Sequence, residues 1–471
     1  MLKPHENNLS RIIMLSTVAA LGGFLFGFDS GVINGTVDAL QQAFNSNAVG
    51  TGFNVASVLI GCAVGAFFAG MLADKIGRKY SLIGAAIAFI VSAWGSGISS
   101  SSAEFVFYRL LGGMAVGAAS ILSPAYIGEI APPKIRGRLI SLQQLAIVLG
   151  LFFAFFSNYN LASAAGDTSA ELWFGFDAWQ WMFWMELIPA SIFFVCLLFI
   201  PESPRFLVAV NKSEKAIKIL ASITNWENAE RQVNEITQTV LHDRKPRLSD
   251  IISKKTKKIY PIVWVGIGLA ALQTFTGIDV VFYYGSVLWQ AAGFNEADAL
   301  LTNVIIGAVN IGFTILAISL VDRVGRKPLL LIGGLGQALM LGLMAVIFTF
   351  SAEDATQGIE MSGAVGLMAL LAAVGFIAFF ALTWGPVMWV MLGEMFPNRF
   401  RGAALALAGT SNWMANFIVT ITFPVFLTNF GLGISYGIYA LFGIVAFVFV
   451  YKYVNETTGK TLEEISLEQE K

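Results

Sequence analysis

Twelve runs of about 20 mostly apolar residues follow one another along this 471-residue chain, each long enough to cross the roughly 30 Å hydrocarbon core of a bilayer as a helix. They lie near residues 12–36, 52–73, 80–99, 104–126, 139–160, 181–200, 260–289, 299–321, 328–350, 363–392, 402–428 and 433–453. In hydrocarbon a chain must satisfy its own backbone N–H and C=O groups, which only helices and closed barrels do. No alternating barrel pattern occurs, so the expected fold class is an all-α membrane protein of twelve transmembrane helices. Composition agrees: 56% of residues are hydrophobic and 13% charged, against about a half and a quarter in soluble domains. The first run has no small-residue cleavage site and is too long for a signal-peptide core, so it reads as the first span.

The net charge of -1 points to no partner, but the placement of the 29 Lys and Arg orients the chain. They gather in alternate connections: Lys75, Arg78 and Lys79; Lys134, Arg136 and Arg138; residues 202–259; Arg323, Arg326 and Lys327; Arg399 and Arg401; and both termini. The intervening connections hold none. The positive-inside rule then puts both termini in the cytosol. The expected organisation is a six-helix bundle over 1–201, a cytosolic helical linker over 202–259, a second bundle over 260–454 and a cytosolic tail over 455–471. In the linker, Lys212 to Leu220 and Asn228 to Val240 are helix-compatible. Lys254, Lys255, Lys257 and Lys258 suit anchoring on anionic lipid and not a nucleic acid. The short loops fit a multi-pass protein of a bacterial inner membrane.

Enzyme chemistry has little to work with. Cys62 and Cys196 sit in apolar runs, where cysteine packs as a small hydrophobe. His5 and His242 are the only histidines, and both lie in polar segments. Neither a disulfide framework nor a metal centre can be built from these residues, and no cofactor is expected. Gly61 and Gly65 read as a helix-packing pair.

Two passages recur. Asp74-Lys-Ile-Gly77-Arg78-Lys79 after span 2 returns as Asp322-Arg-Val-Gly325-Arg326-Lys327 after span 8. Glu129 through Arg136-Gly137 after span 4 returns as Glu394 through Arg401-Gly402 after span 10. The order and topological position are kept, so the chain is two parallel six-span repeats, an arrangement that places a substrate site between halves near the midplane. The carboxylates Asp74, Glu129, Asp322 and Glu394 stand at helix ends beside Arg78, Arg136, Arg326 and Arg401. A ring of such pairs is expected to latch the two halves on the cytosolic side.

These loops, with Pro201-Glu202-Ser203-Pro204-Arg205 after span 6, resemble the sugar porter family of the major facilitator superfamily, and the resemblance covers nearly the whole chain. The tail from Asn455 is similar to the family's tail, with Asn455 in place of a proline. The resemblance implies a secondary transporter whose partners are a small-molecule sugar, the proton and the bilayer, working as a monomer.

An ionisable residue at membrane depth is costly and marks function by default. Asp29 lies mid-span in helix 1, and Arg109 is the one basic residue inside a span, in the outer part of helix 4. As neighbours they offset one another, and protonating Asp29 would loosen the pair. Proton-coupled members of the family resembled carry Asp and Arg at these positions. The resemblance also implies a sugar site: Phe26, Gln144, Gln273, Phe380, Gly385 beside a proline hinge, Trp389 as a stacking ring, Asn412, Trp413 and Asn416, with Tyr283 and Tyr284 as an outer gate. Two positions depart from the pattern. Thr274 replaces a second glutamine, and Asp279 replaces an asparagine. Asp279 leaves three chemistries open: paired hydrogen bonds from sugar hydroxyls, preference for an amino sugar, or a second protonatable group. The expected function is proton–monosaccharide symport by alternating access; a passive facilitator, a membrane sugar sensor and an enzyme are the alternatives.

Overall fold

Each apolar run folds as a helix that ends where a charged or glycine-containing turn leaves the hydrocarbon. The protein is represented by a computed structural model that describes residues 8–132, 135–242, 248–252, 257–356, 363–397 and 400–457. Lys134, Arg399, Lys254, Lys255, His5 and the tail beyond 457 lie outside the described residues. Spans 1 to 10 are Leu9–Gly35, Ala48–Ile76, Arg78–Ile98, Ser102–Ile130, Arg136–Ala165, Ala178–Phe199, Pro261–Ala291, Glu296–Val321, Arg326–Phe350 and Val365–Met395. The last helical element, Arg401–Tyr453, has 53 residues. A straight helix of that length would reach about 80 Å, far beyond the hydrocarbon depth. Gly431, at φ 72° and ψ -179°, breaks it into span 11 and span 12. The count of twelve is thus the number of crossings.

The repeat seen in the loops recurs in the packing. Span 2 packs on span 4 and span 8 on span 10; span 1 packs on span 5 and span 7 on span 11; spans 3 and 4 pair as do spans 9 and 10. Between the halves, span 2 meets span 11 and span 5 meets span 8. Gly77 and Gly325 both stand at φ 100°, a conformation that favours glycine, and in both halves the next residue, an arginine, begins a helix. Large apolar side chains cover the outside, with Phe107, Phe199 and Leu371 each more than half exposed, a surface suited to lipid and not to water.

Outside the membrane the elements are small. A two-stranded hairpin, Glu171–Trp173 with Phe176–Asp177, follows span 5. The linker carries helices Pro204–Ala209, Ser213–Ala221 and Trp226–His242 around a core of Leu207, Val208, Ala216, Leu220, Ala229 and Val233. The two longer helices fall where the charged amphipathic stretches predict them. The short first one begins at Pro204 in the first-turn position, with Ser203 as its cap.

Spans 2 and 4 approach closely because glycine lines the seam. A Cβ added to Gly61, Gly65, Gly113 or Gly117 would lie 2.0–2.2 Å from a backbone carbonyl oxygen of the facing span. Gly117→Ala is therefore expected to force the spans apart and destabilise the detergent-solubilised protein by about 1–3 kcal/mol. Gly70, with open space around it, serves as the control: Gly70→Ala leaves the melting temperature unchanged.

Candidate functional site

Arg109 and Asp29 meet in the interior of the first half. Nη1 of Arg109 stands 2.5 Å from Oδ1 of Asp29, with both side chains 1% exposed. Nη2 also donates to the Asp29 carbonyl at 3.5 Å, and the guanidinium stands 5.8 Å from the centre of the Phe183 ring. A single charge at this depth costs about 2.5–3.5 kcal/mol on insertion scales; each is tolerated because the other is there. Gly112 makes the room, since a Cβ there would lie 2.3 Å from Ser92 Oγ and 3.7 Å from Asp29 Oδ1.

A third ionisable group joins them. Glu186, 1% exposed, sits between the helical segments Ala178–Met185 and Leu187–Phe199 of span 6 and interacts electrostatically with Asp29 and Arg109. Glu186 keeps helical angles (φ -65°, ψ -24°), and the helix lacks here the bond that Pro189, with no N–H, would give the Met185 carbonyl four residues back. Glu186 Oε1, Asp29 Oδ2 and Arg109 Nε have no protein hydrogen-bond partner. Sequence analysis missed Glu186, although an acid inside the apolar run 181–200 was the available signal.

Within the second half lies a cluster of amides. Span 7 changes direction at Gly277, where Pro261–Phe275 ends and Ile278–Ala291 begins. Span 10 breaks at Thr383, between Gly363–Leu382 and Trp384–Met395. Sequence reading expects the hinge at Gly385-Pro386; the break falls earlier because Pro386 has no N–H for the Leu382 carbonyl. Gln273 Nε2 donates to the carbonyls of Trp384 at 2.8 Å and Gly385 at 3.4 Å, beside that break. Asn412 Nδ2 donates to Ala270 O, Gln273 Oε1 and Thr274 Oγ1 at 2.9–3.1 Å. Gln273, Thr274 and Asn412 are thus buried and committed to one another. One turn along span 11, Asn416 Oδ1 accepts from Thr420 Oγ1 at 2.9 Å, and Tyr283 is buried. Gln144, Asp279 and Phe380 are half-buried. Phe26 and Trp413 face each other across the halves with ring centres 5.7 Å apart, and Trp389 is 43% exposed, leaving a ring face available.

The side opposite the basic loops is closed by a residue that sequence reading did not single out. Span 7 kinks at Tyr284 (φ -116°, ψ 15°), where a helix would join Ser286 N–H to the Phe282 carbonyl. Asn34 inserts there: its Oδ1 accepts from Ser286 N at 3.1 Å and its Nδ2 donates to Phe282 O at 2.9 Å. Asn303 of span 8 donates to the same Oδ1 at 2.8 Å. A side chain from one half thereby completes a helix of the other. Nearby, Gln290 donates to Asp38 at 2.7 Å, and Thr168 Oγ1 donates to Glu296 at 2.5 Å. Tyr284 of the expected gate donates to the Thr420 carbonyl at 2.9 Å.

On the basic face the ion pairs described close within a half. Arg78 joins Glu129 at 3.0 Å and Asp74, one turn back, at 3.4 Å. Arg326 grips Glu394 with Nη2 at 2.8 Å and Nε at 3.1 Å. Glu202 accepts from the backbone N–H of Arg78, Lys79 and Ser203, while Ser203 donates to Glu129. In the other half Glu456 accepts from Arg326, Lys327 and Thr457, while Thr457 donates to Glu394 at 2.6 Å. The arrangement is the same twice over, and each copy binds the end of the half's last span to its first basic loop. Arg401 donates to the Phe396 carbonyl at 3.2 Å, Arg136 is exposed, and the Asp322 side chain lies outside what is described.

A family model described as "Sugar (and other) transporter" matches residues 15–468. The chain is 49% identical over 459 residues to the glucose transport protein of Synechocystis sp., covering 97% of each chain. It is 40% identical over 492 residues to the D-xylose-proton symporter of Escherichia coli, covering 98% of this chain and 96% of that one. The Escherichia coli xylose transporter in an inward open conformation matches with a TM-score of 0.83 at 38% identity, covering 97% of this chain and 99% of that one.

The closed mouth is expected to respond to pH. Burial lifts the Asp38 carboxyl above its ordinary range, the Gln290 hydrogen bond pulls it down and the Glu296 charge raises it again. A carboxyl raised in the closed form binds protons more tightly there, so acid favours closure, and the gain is lost as pH rises through the raised range. Labelling of a cysteine placed beside Gln290 should fall as the pH drops from neutral into the acid range, and Asp38→Asn should flatten that dependence.

Proposed function

Because the chain belongs to the sugar transporter family of the major facilitator superfamily, we propose that it carries a monosaccharide and a proton together across the cell membrane by alternating access of its two halves. The relatives are transporters and not enzymes. The observation that carries the coupling is the Asp29–Arg109 contact of 2.5 Å between groups 1% exposed. With Asp29 ionised, the pair holds span 1 to span 4. A proton on Asp29 removes the Coulomb attraction and frees the guanidinium to turn to Glu186, so proton binding and helix position become one equilibrium. The free energy is adequate: one charge crossing 100 mV releases about 2.3 kcal/mol, enough for roughly fifty-fold accumulation.

The sugar occupies the space between halves, near Phe26, Gln144, Gln273, Thr274, Asp279, Tyr283, Phe380, Trp389, Asn412, Trp413 and Asn416. Planar amides suit paired hydroxyl contacts, and the aromatic faces suit the apolar side of a pyranose. The basic face is cytosolic by the positive-inside rule, so the closed mouth at Asn34 is the outer one and the state is inward-facing, in keeping with the similarity to an inward open relative. The two basic-face networks make each half a rigid body that rocks about the site, and the linker 202–259 joins them. The glucose transport protein at 49% identity supports a second reading, facilitated diffusion of a hexose.

Asp29→Asn separates the two. Under symport, proteoliposomes with the variant should lose concentrative uptake while still exchanging labelled for unlabelled sugar. Concentrative uptake that survives the substitution would remove Asp29 from the coupling.

A further inference from the structure

Residues 173–176 read Trp-Phe-Gly-Phe, an apolar sequence for a loop outside the spans. They form the tip of the hairpin Glu171–Trp173 with Phe176–Asp177. Phe174 stands at φ 59° and Gly175 at φ 79°, the two left-handed positions of a tight turn that Asn-Gly usually fills. Phenylalanine is disfavoured there, because its Cβ crowds the following carbonyl oxygen. Packing within the protein does not offset that, since Phe174 is 89% exposed and Trp173 beside it 49%. Glu171 and Asp177 pair at the other end. The hairpin therefore has an apolar tip and an acidic base, and the tip is shaped for something outside the chain.

The contacts of the tip place it against the side of the bundle and not above it. Trp181, one turn into span 6, donates its indole N–H to the Trp173 carbonyl at 3.2 Å. Phe176 meets Trp184, nearly two turns in, edge to face with ring centres 4.8 Å apart. Trp184 stacks on Trp94 of span 3 at 5.5 Å and donates to the Trp94 carbonyl at 3.1 Å. Trp94 is itself 53% exposed on an apolar span, so the rings are continuous with the surface that span 3 gives to lipid. The indole N–H groups of Trp181 and Trp184 are used inside the cluster. What faces outward is mostly ring carbon, at the depth of the first turns of a span. The medium at that depth is the layer between headgroups and acyl chains, where tryptophan and other amphipathic rings are favoured.

We propose that the hairpin 171–177 inserts its tip into the interfacial layer of the outer leaflet and anchors the outer end of span 6 to the bilayer. The inference needs only the membrane-spanning fold and is independent of sugar and proton. The anchored segment is Ala178–Met185, which carries Phe183 beside Arg109 and ends at Glu186. One wall of the ionisable pocket is thereby tied to the bilayer surface. The test is spin-label accessibility in proteoliposomes dilute enough to keep copies apart, with Phe174→Cys made in a Cys196→Ala background; Cys62 is buried. Gln42→Cys, exposed in the helix Val37–Ala43, gives the reference for water. Ile188→Cys, exposed on span 6, gives the reference for lipid. Molecular oxygen and a nickel chelate, present on both sides of the membrane, serve as the apolar and polar relaxers. The ratio of oxygen to chelate collisions is expected to be higher at position 174 than at 42 and to approach that at 188. A ratio at 174 no higher than at 42 puts the tip in water and overturns the inference. A label at 174 that neither relaxer reaches is covered by protein, which overturns it as well.

Discussion

An arginine inside a bilayer is the feature the first half is built around. A guanidinium is a fixed charge in proteins and hydrocarbon offers it no partner, so the fold must bring Arg109 an anion. Asp29 comes from span 1, 80 positions away in sequence, and reaches it because Gly112 leaves a hollow and Phe183 closes the other side of the guanidinium. The same pocket contains Glu186, at the point where Pro189 interrupts span 6. Glu186 Oε1, Asp29 Oδ2 and Arg109 Nε are without a protein hydrogen-bond partner.

The two faces of the molecule are tied in different ways. On the basic face, Glu202 with Ser203 and Glu456 with Thr457 cap the same turn in the two halves and bind the same glutamate. These ties hold helices inside a half. On the other face, Asn34 repairs a broken helix of the opposite half, standing in for the lost bond between Ser286 N–H and the Phe282 carbonyl. A hydrogen bond of this kind is worth about 1 kcal/mol net.

The span count, the two-fold repeat and the Asp29–Arg109 pairing are all legible in the sequence, because length, charge alternation and rare intramembrane charge are one-dimensional signals. Glu186 is equally visible, as an acid inside the apolar run 181–200. Asn34 was not legible: a single asparagine near a span end gains meaning only from Ser286 and Asn303, some 250 residues away in the other half. The breaks in spans 6 and 10 follow from prolines once the missing i to i−4 bond is traced, which places them a turn before the proline and not at it. The basic-face pairs show the limit of motif reading. The repeated residues were recognised, but whether Arg78 reaches across the halves or within one depends on which conformation the halves adopt. Likewise Gln273 and Asn412 were assigned to the sugar, and here their amides bond one another and the backbone beside Thr383.

The most direct test of the coupled-transport account is uptake of radiolabelled monosaccharides (xylose, glucose, galactose, inositol and glucosamine) into proteoliposomes under an inward proton gradient. The account predicts that one of them rises above its external concentration and that a protonophore collapses the excess. Equilibration without concentration, unaffected by the protonophore, would contradict it and reduce the Arg109 pocket to a structural device.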